Sequence, residues 1–217
     1  VAIDLAGFGM ESQSLADLLS RLSGLPAKTA LLVTMGAVVL GILIFVFKDS
    51  RFRISAEQWS GGTILGLLVT AAWYLTGHVG FAENPDTLEM TYFATNSRTL
   101  ESLSFVAPTA YSLELLMLWT DKSLHATFGI ATALGVAVGS LIHAISSRQF
   151  RWEGFASFED LRNHLVGGIL MGFGGVTSMG CTIGQGLTGV STLAIGSFIA
   201  LAGIIAGSVA TMKWQQR

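Results

Sequence analysis

The chain has 217 residues, of which 51% are hydrophobic and 12% charged, with a mean hydropathy of +0.62 and a formal net charge of −2. Disorder needs low hydrophobicity and a nucleic-acid surface needs basic charge, so both are excluded. A single cysteine excludes an internal disulfide framework and a cysteine-rich zinc site. An all-α integral membrane protein remains.

The sequence begins at Val1 without a signal-peptide pattern, which predicts a piece of a longer protein. Leu15, Leu18, Leu19 and Leu22 form an apolar helical stripe before Pro26. Residues 1–29 therefore read as an external amphipathic segment lying on the membrane. Beyond it, charge-free intervals set the architecture, because a bilayer core about 30 Å thick takes roughly 20 helical residues. Lys28 to Lys48 encloses 19 uncharged residues, Glu57 to Glu83 encloses 25, and Lys122 to Arg148 another 25. Arg162 to Lys213 encloses 50, enough for two crossings. The expectation is a polytopic domain over 30–212 with about five transmembrane helices, its first spans near 30–47 and 61–82, followed by a cytoplasmic tail at 213–217.

The stretch 102–120 is apolar but broken by Pro108 and Glu114. Loop charge decides how it runs, since Lys and Arg prefer cytoplasmic loops. If 102–120 enters and leaves on one face, eight of the 12 basic residues fall in the cytoplasm: Lys48, Arg51, Arg53, Arg148, Arg151, Arg162, Lys213 and Arg217. The acidic loop 83–101 then lies outside. The segment reads as re-entrant, and irregular backbone at that depth must be buried in protein or line a cavity.

Trp59, Trp119, Trp152 and Trp214 sit near the expected span ends, as an aromatic belt would. The pairs Gly62/Gly66, Gly135/Gly139, Gly168/Gly172 and Gly203/Gly207 have the spacing that lets helices pack closely in lipid. Phe155, Phe158, Leu161 and Leu165 suggest a second surface helix, on the cytoplasmic side. Phe52-Arg53 before Gly61-Gly62 and Phe150-Arg151 before Gly167-Gly168 form a short internal echo. Glu114 is either an intramembrane carboxylate, a functional candidate by default, or an interfacial residue near Trp119. Ser104, with Asn96, Ser97 and Ser102, either lines an outer vestibule or lies in a solvated loop. His78, His125, His143 and His164 are scattered without metal-ligand spacing, so neither metal nor cofactor is expected.

The chemistry concentrates in 166–189, VGGILMGFGGVTSMGCTIGQGLTG, where nine of the 26 glycines fall. Gly172-Phe173-Gly174-Gly175 is not a dinucleotide loop, since no strand precedes it and no acid follows at the ribose-binding distance. The run Gly175 to Thr182 has Cys181 where a P-loop has its lysine, which removes the fixed cation for phosphate. A helix break at Gly180–Gly186 would instead leave N–H groups pointing into the protein, and such termini bind anions. Broken helices at mid-membrane are common transporter sites. Cys181 adds a soft contact suited to a sulfur-bearing ligand, or else fills space as a small hydrophobe. Ser178, Gly180, Thr182, Gly184, Gln185 and Gly186 complete the candidate site, with Glu114 and Ser104 as outlying members.

The run GGILMGFGGVTSMGCTIGQGLTGVSTLAIGSFIALAGIIAG, together with TNSRTLESLSFVAP (95–108) and FRWEGF (150–155), resembles the YeeE/YedE family of bacterial membrane proteins. That family includes thiosulfate importers. The resemblance implies two pseudo-symmetric halves, each with a Gly-Cys motif, and cysteines lining a narrow path that thiosulfate follows through transient S–H···S contacts. It assigns Cys181 to the substrate and Gly180 and Gly184 to the turn. This chain has one cysteine, so the first-half motif belongs to a missing N-terminal half or to a partner.

The resulting expectation is uptake of thiosulfate, or a related sulfur-containing anion, across the bacterial inner membrane, with the C-terminus cytoplasmic. Expected partners are that anion, the lipid bilayer, the missing N-terminal half and a small cytoplasmic sulfurtransferase of the TusA-like kind. Two alternatives stand beside it. A membrane sulfurtransferase or persulfide relay would attack sulfur through Cys181 and benefit from a basic neighbour, and none lies between His164 and Lys213 in sequence. A structural membrane subunit would tolerate any residue at 181.

Overall fold

The computed structural model describes residues 12–84, 88–121 and 124–216. It is helical almost throughout, as the composition requires: an unpaired backbone group in lipid costs several kcal/mol, about the value of its lost hydrogen bond. The described helices are α1 (Leu15–Ser23), α2 (Ala27–Lys48), α3 (Ser50–Ile54), α4 (Ala56–Tyr74), α5 (Val106–Met117), α6 (Phe128–Ser146), α7 (Phe158–Thr177) and α8 (Ile195–Gln215). A π-helical turn, Leu75–Val79, prolongs α4, and another covers Gly184–Gly189.

Four helices among the described residues are long and apolar enough to cross a bilayer: Ala27–Lys48, Ala56–Val79, Phe128–Ser146 and Ile195–Trp214. The chain is thus an all-α, multi-pass membrane protein. At 20 residues α7 is as long, but its first turns carry Glu159, Asp160 and Arg162. The second span begins five residues before the expected start at 61, because Glu57 at the interface does not interrupt the helix. Phe158, Leu161 and Leu165 belong to the opening turns of α7 and form no separate surface helix. The helix α8 continues through Lys213 to Gln215. The loop 83–101 contains part of an antiparallel hairpin, Phe81–Glu83 with Met90–Tyr92, which the sequence reading did not anticipate.

Side chains set several helix ends. Ser14 Oγ accepts from Asp17 N at 3.1 Å to start α1, and Gly24, with φ of 68°, closes it in the left-handed region. Ser157 Oγ accepts from Asp160 N at 3.1 Å to start α7, where Glu159 and Asp160 complement the helix dipole. Hydroxyls within the spans are satisfied by the preceding turn, as in Thr34 to Ala30 O (2.7 Å) and Thr63 to Trp59 O (2.8 Å).

The described chain divides into two compact units, one formed by 1–68 with 185–217 and the other by 69–184. In the first, α1 packs on α2, with Ala16 and Ala30 buried. Leu15 N donates to Leu193 O at 2.9 Å and Ile195 N to Gln13 O at 3.0 Å, which ties the start of α1 to the start of α8. Trp59 stacks on Phe52 and meets Phe47 edge-on, fastening α4 to α2 and α3.

In the second unit, residues 95–108 fold against the end of α4. Thr76, fully buried, has its hydroxyl 2.9 Å from Ala72 O and 2.5 Å from Glu101 O. Ser102 Oγ donates to Val69 O at 3.2 Å. Thr127 Oγ1 bonds Asn96 Oδ1, and Phe128 N donates to Ala94 O at 2.8 Å, so α6 starts from the same turn. Pro108 lies against Gly129, where a Cβ would meet its Cγ at 2.8 Å. The glycines of the four Gly-x-x-x-Gly pairs, in contrast, face open space within 4 Å.

Candidate functional site

The helix α7 stops because its last turn closes on itself. Gly180 N donates to Gly175 O at 2.9 Å and Met179 N to Val176 O at 3.1 Å. These are the two bonds of a Schellman cap, which needs a left-handed residue at its centre. That residue is Met179, with φ of 56° and a side chain 90% exposed. Ser178 Oγ lies 2.8 Å from Gly174 O and 2.6 Å from Gly180 O, so it serves the same turn.

Helix resumes at Thr182 and runs to residue 191. The break therefore covers 178–181, earlier than the expected Gly180–Gly186. The residues from 184 are helical because a π-wound turn accommodates them. Cys181 stands at the N-cap of this short helix. Its Sγ receives the Gly184 N–H at 3.5 Å, an i to i+3 bond equivalent to a serine cap. Cys181 is half-buried and Thr182 exposed.

The unit 69–184 brings Ser104 to this turn. A Cβ at Gly184 would lie 3.1 Å from Ser104 Oγ and 4.0 Å from Cys181 Sγ. A Cβ at Gly175 would meet Val106 Cγ2 at 2.9 Å, which packs α5 against α7. Close approach, rather than special backbone, is what requires glycine at 175 and 184. Ser104, Gly180, Cys181 and Gly184 thus come together as one hydroxyl, one thiol and the start of a helix. Glu114 is not with them; it lies exposed near the end of α5.

In the other unit, Gln185 Oε1 accepts from Ser197 Oγ at 2.6 Å, with Ser197 5% exposed. A Cβ at Gly189 would fall 2.8 Å from Ser197 Cβ and 3.0 Å from Gln185 Oε1. Neither Ser197 nor Gly189 stood out in the sequence, since no local spacing links them to Gln185. Gly186 is half-buried in the same helical turn as Gln185. No group of three His, Cys, Asp or Glu able to hold a metal ion occurs among the described residues.

Residues 43–210 match the family model described as Sulphur transport, a range that includes both 95–108 and the Gly-Cys turn. The chain belongs to this family. It is 32% identical over 151 residues to the thiosulfate transporter TsuA of Escherichia coli (strain K12), a match covering 70% of this chain and 37% of that protein. It is 51% identical over 49 residues to the thiosulfate transporter TsuA of Spirochaeta thermophila, covering 23% of this chain and 14% of that protein. The chain therefore spans little more than a third of the E. coli relative. No solved structure matches it.

Proposed function

We propose that this chain is part of a permease that takes up thiosulfate, or a closely related sulfur-containing anion, across the bacterial inner membrane. The observation that carries the reading is Cys181 at the N-cap of the helix 182–191, with Ser104 Oγ beside the same turn. A helix N-terminus offers partial positive charge and N–H donors to an anion. The thiol offers a polarizable contact and a weak donor to a terminal sulfur. Ser104 and Thr182 supply hydroxyls for oxygen atoms. Both relatives are named as thiosulfate transporters, which supports this substrate class.

No Asp, Glu, Lys or Arg lies between Arg162 and Lys213 in sequence. A site held by dipoles alone binds a dianion weakly, which suits a path that must release its cargo. The segment 102–120 enters and leaves on the outer face: α5 has 12 residues, a rise of about 18 Å against a core of about 30 Å. The loop 146–163 and the C-terminus then lie in the cytoplasm, in keeping with their basic residues.

The test is uptake of labelled thiosulfate by cells that lack other routes and express the full-length protein. Cys181→Ser is expected to cut uptake while the protein remains inserted. Wild-type uptake by that variant would return Cys181 to a packing role.

A further inference from the structure

The turn that prolongs α4 is wound wider than the helix before it: in Leu75–Val79, Gly80 N donates to Leu75 O at 2.7 Å, five residues back. Single π-turns of this kind are frequent at functional sites. Here the widened turn receives the chain that follows the hairpin. Gly77 and Gly80 lack the side chains that would keep it away. A Cβ at Gly77 would lie 2.6 Å from Leu100 Cδ1, and one at Gly80 would collide with Ala94 Cβ. Phe93 N donates to Gly80 O at 2.9 Å.

Two hydroxyls then fix where this chain runs along α4. A threonine within a helix ordinarily bonds the carbonyl four residues back, and Thr76 Oγ1 is 2.9 Å from Ala72 O. It is closer, at 2.5 Å, to Glu101 O, 25 residues away in sequence. Ser102, buried like Thr76, donates from its Oγ to Val69 O at 3.2 Å. Val69 and Thr76 are about two helical turns apart, and they hold consecutive residues, 101 and 102. The pair therefore fixes the direction of the chain as well as its place. Ser104 follows two residues on, with its Oγ 3.1 Å from where a Gly184 Cβ would stand.

We propose that Thr76 and Ser102 are positioning residues, which hold Ser104 Oγ at the Cys181 turn without touching the cargo. The role given to Ser104 rests on the thiosulfate-permease reading above, whereas its placement beside Cys181 does not. A hydroxyl that serves an oxygen of the anion has to stand at a set distance from the thiol that meets its sulfur. Val69 O and Ala72 O lie within α4, and a helical carbonyl retains a second lone pair. The helix therefore forms without these hydroxyls, and what they add is the position of 101–104.

Two readouts test this in the full-length protein at matched membrane levels. The first uses Ser104→Cys, which sets a second thiol beside Cys181, and dibromobimane, which fluoresces on bridging neighbouring thiols. Ser104→Cys should give a bridging signal that the protein with Ser104 does not. Adding Thr76→Val, which keeps the shape and removes the hydroxyl, should slow bridging at least about threefold, the scale of one lost hydrogen bond. Thr76→Ser should leave the rate unchanged. Ser102→Ala should slow bridging as Thr76→Val does, and it answers the question if Thr76→Val fails to insert. The second readout is KM for labelled thiosulfate. Thr76→Val should raise it at least about threefold but add nothing in a Ser104→Ala background, because the group it places is gone. Absence of bridging in Ser104→Cys, an unslowed rate in Thr76→Val or Ser102→Ala, slowing by Thr76→Ser, or an equal KM shift in the Ser104→Ala background overturns the positioning role. Absence of thiosulfate uptake by the wild-type protein overturns the permease reading, and the bridging rates then still decide what places Ser104.

Discussion

Ser104 and Cys181, far apart in sequence, approach the same backbone position: a Cβ at Gly184 would lie 3.1 Å from Ser104 Oγ and 4.0 Å from Cys181 Sγ. The turn after α7 and the turn before α5 therefore share one small volume. Gly184→Ala would force a methyl into it. The backbone tolerates alanine there, so overpacking should cost about 1–2 kcal/mol of stability. Uptake should fall much further than the amount of inserted protein, measured by immunoblot of the same membranes.

Replacements of Cys181 separate capping from sulfur chemistry. Serine is among the best N-cap residues, so Cys181→Ser should keep the bond to Gly184 N–H and leave thermal unfolding in detergent within about 0.5 kcal/mol of wild type. Cys181→Ala loses the cap and should cost about 1 kcal/mol. Both should impair uptake. If only the alanine variant is impaired, the sulfur serves as a cap and nothing else.

Met179 occupies the left-handed centre of the α7 cap at φ of 56°, where a side chain costs roughly 1 kcal/mol relative to glycine. Met179→Gly should therefore stabilise the protein by about 0.5–1 kcal/mol, seen as a higher midpoint of thermal unfolding. Its exposed side chain leaves no cavity behind. A lower midpoint would show that the methionine contributes more than the backbone loses.

These residues mark what the sequence made legible. Charge-free intervals located the spans because lipid excludes charge wherever the chain crosses. The Gly-Cys motif stood out because so many glycines in one stretch exceed what a plain helix needs. The helix break was placed too late because the cap residue is Met179, where sequence rules look for glycine. The hairpin Phe81–Glu83 with Met90–Tyr92 escaped notice because three-residue strands carry no usable periodicity. The meeting of Ser104 with Cys181, and of Ser197 with Gln185, depends on tertiary contacts that no local spacing encodes. The glycines read as helix-packing pairs face open space, whereas Gly175, Gly184 and Gly189 sit in close contacts.

The proposed re-entrant course of 102–120 puts the loop after α6 in the cytoplasm. Ser147 is exposed just after α6. A cysteine placed there in a Cys181→Ser background should react with a membrane-impermeant maleimide only after the cells are opened. Labelling in intact cells would show that 102–120 crosses the membrane.

Thiosulfate and sulfate are both tetrahedral dianions, and a site built from N–H groups and a helix dipole alone would treat them alike. They differ by one large, soft terminal sulfur, the atom that the proposed function assigns to Cys181. A difference of about 1.4 kcal/mol gives tenfold preference. The decisive measurement is competition by excess sulfate against labelled thiosulfate uptake by the full-length protein. The account predicts that sulfate competes at least about tenfold less well than unlabelled thiosulfate, and that Cys181→Ser narrows the gap. Equal competition by sulfate in the wild-type protein would contradict it, since the sulfur would then go unread.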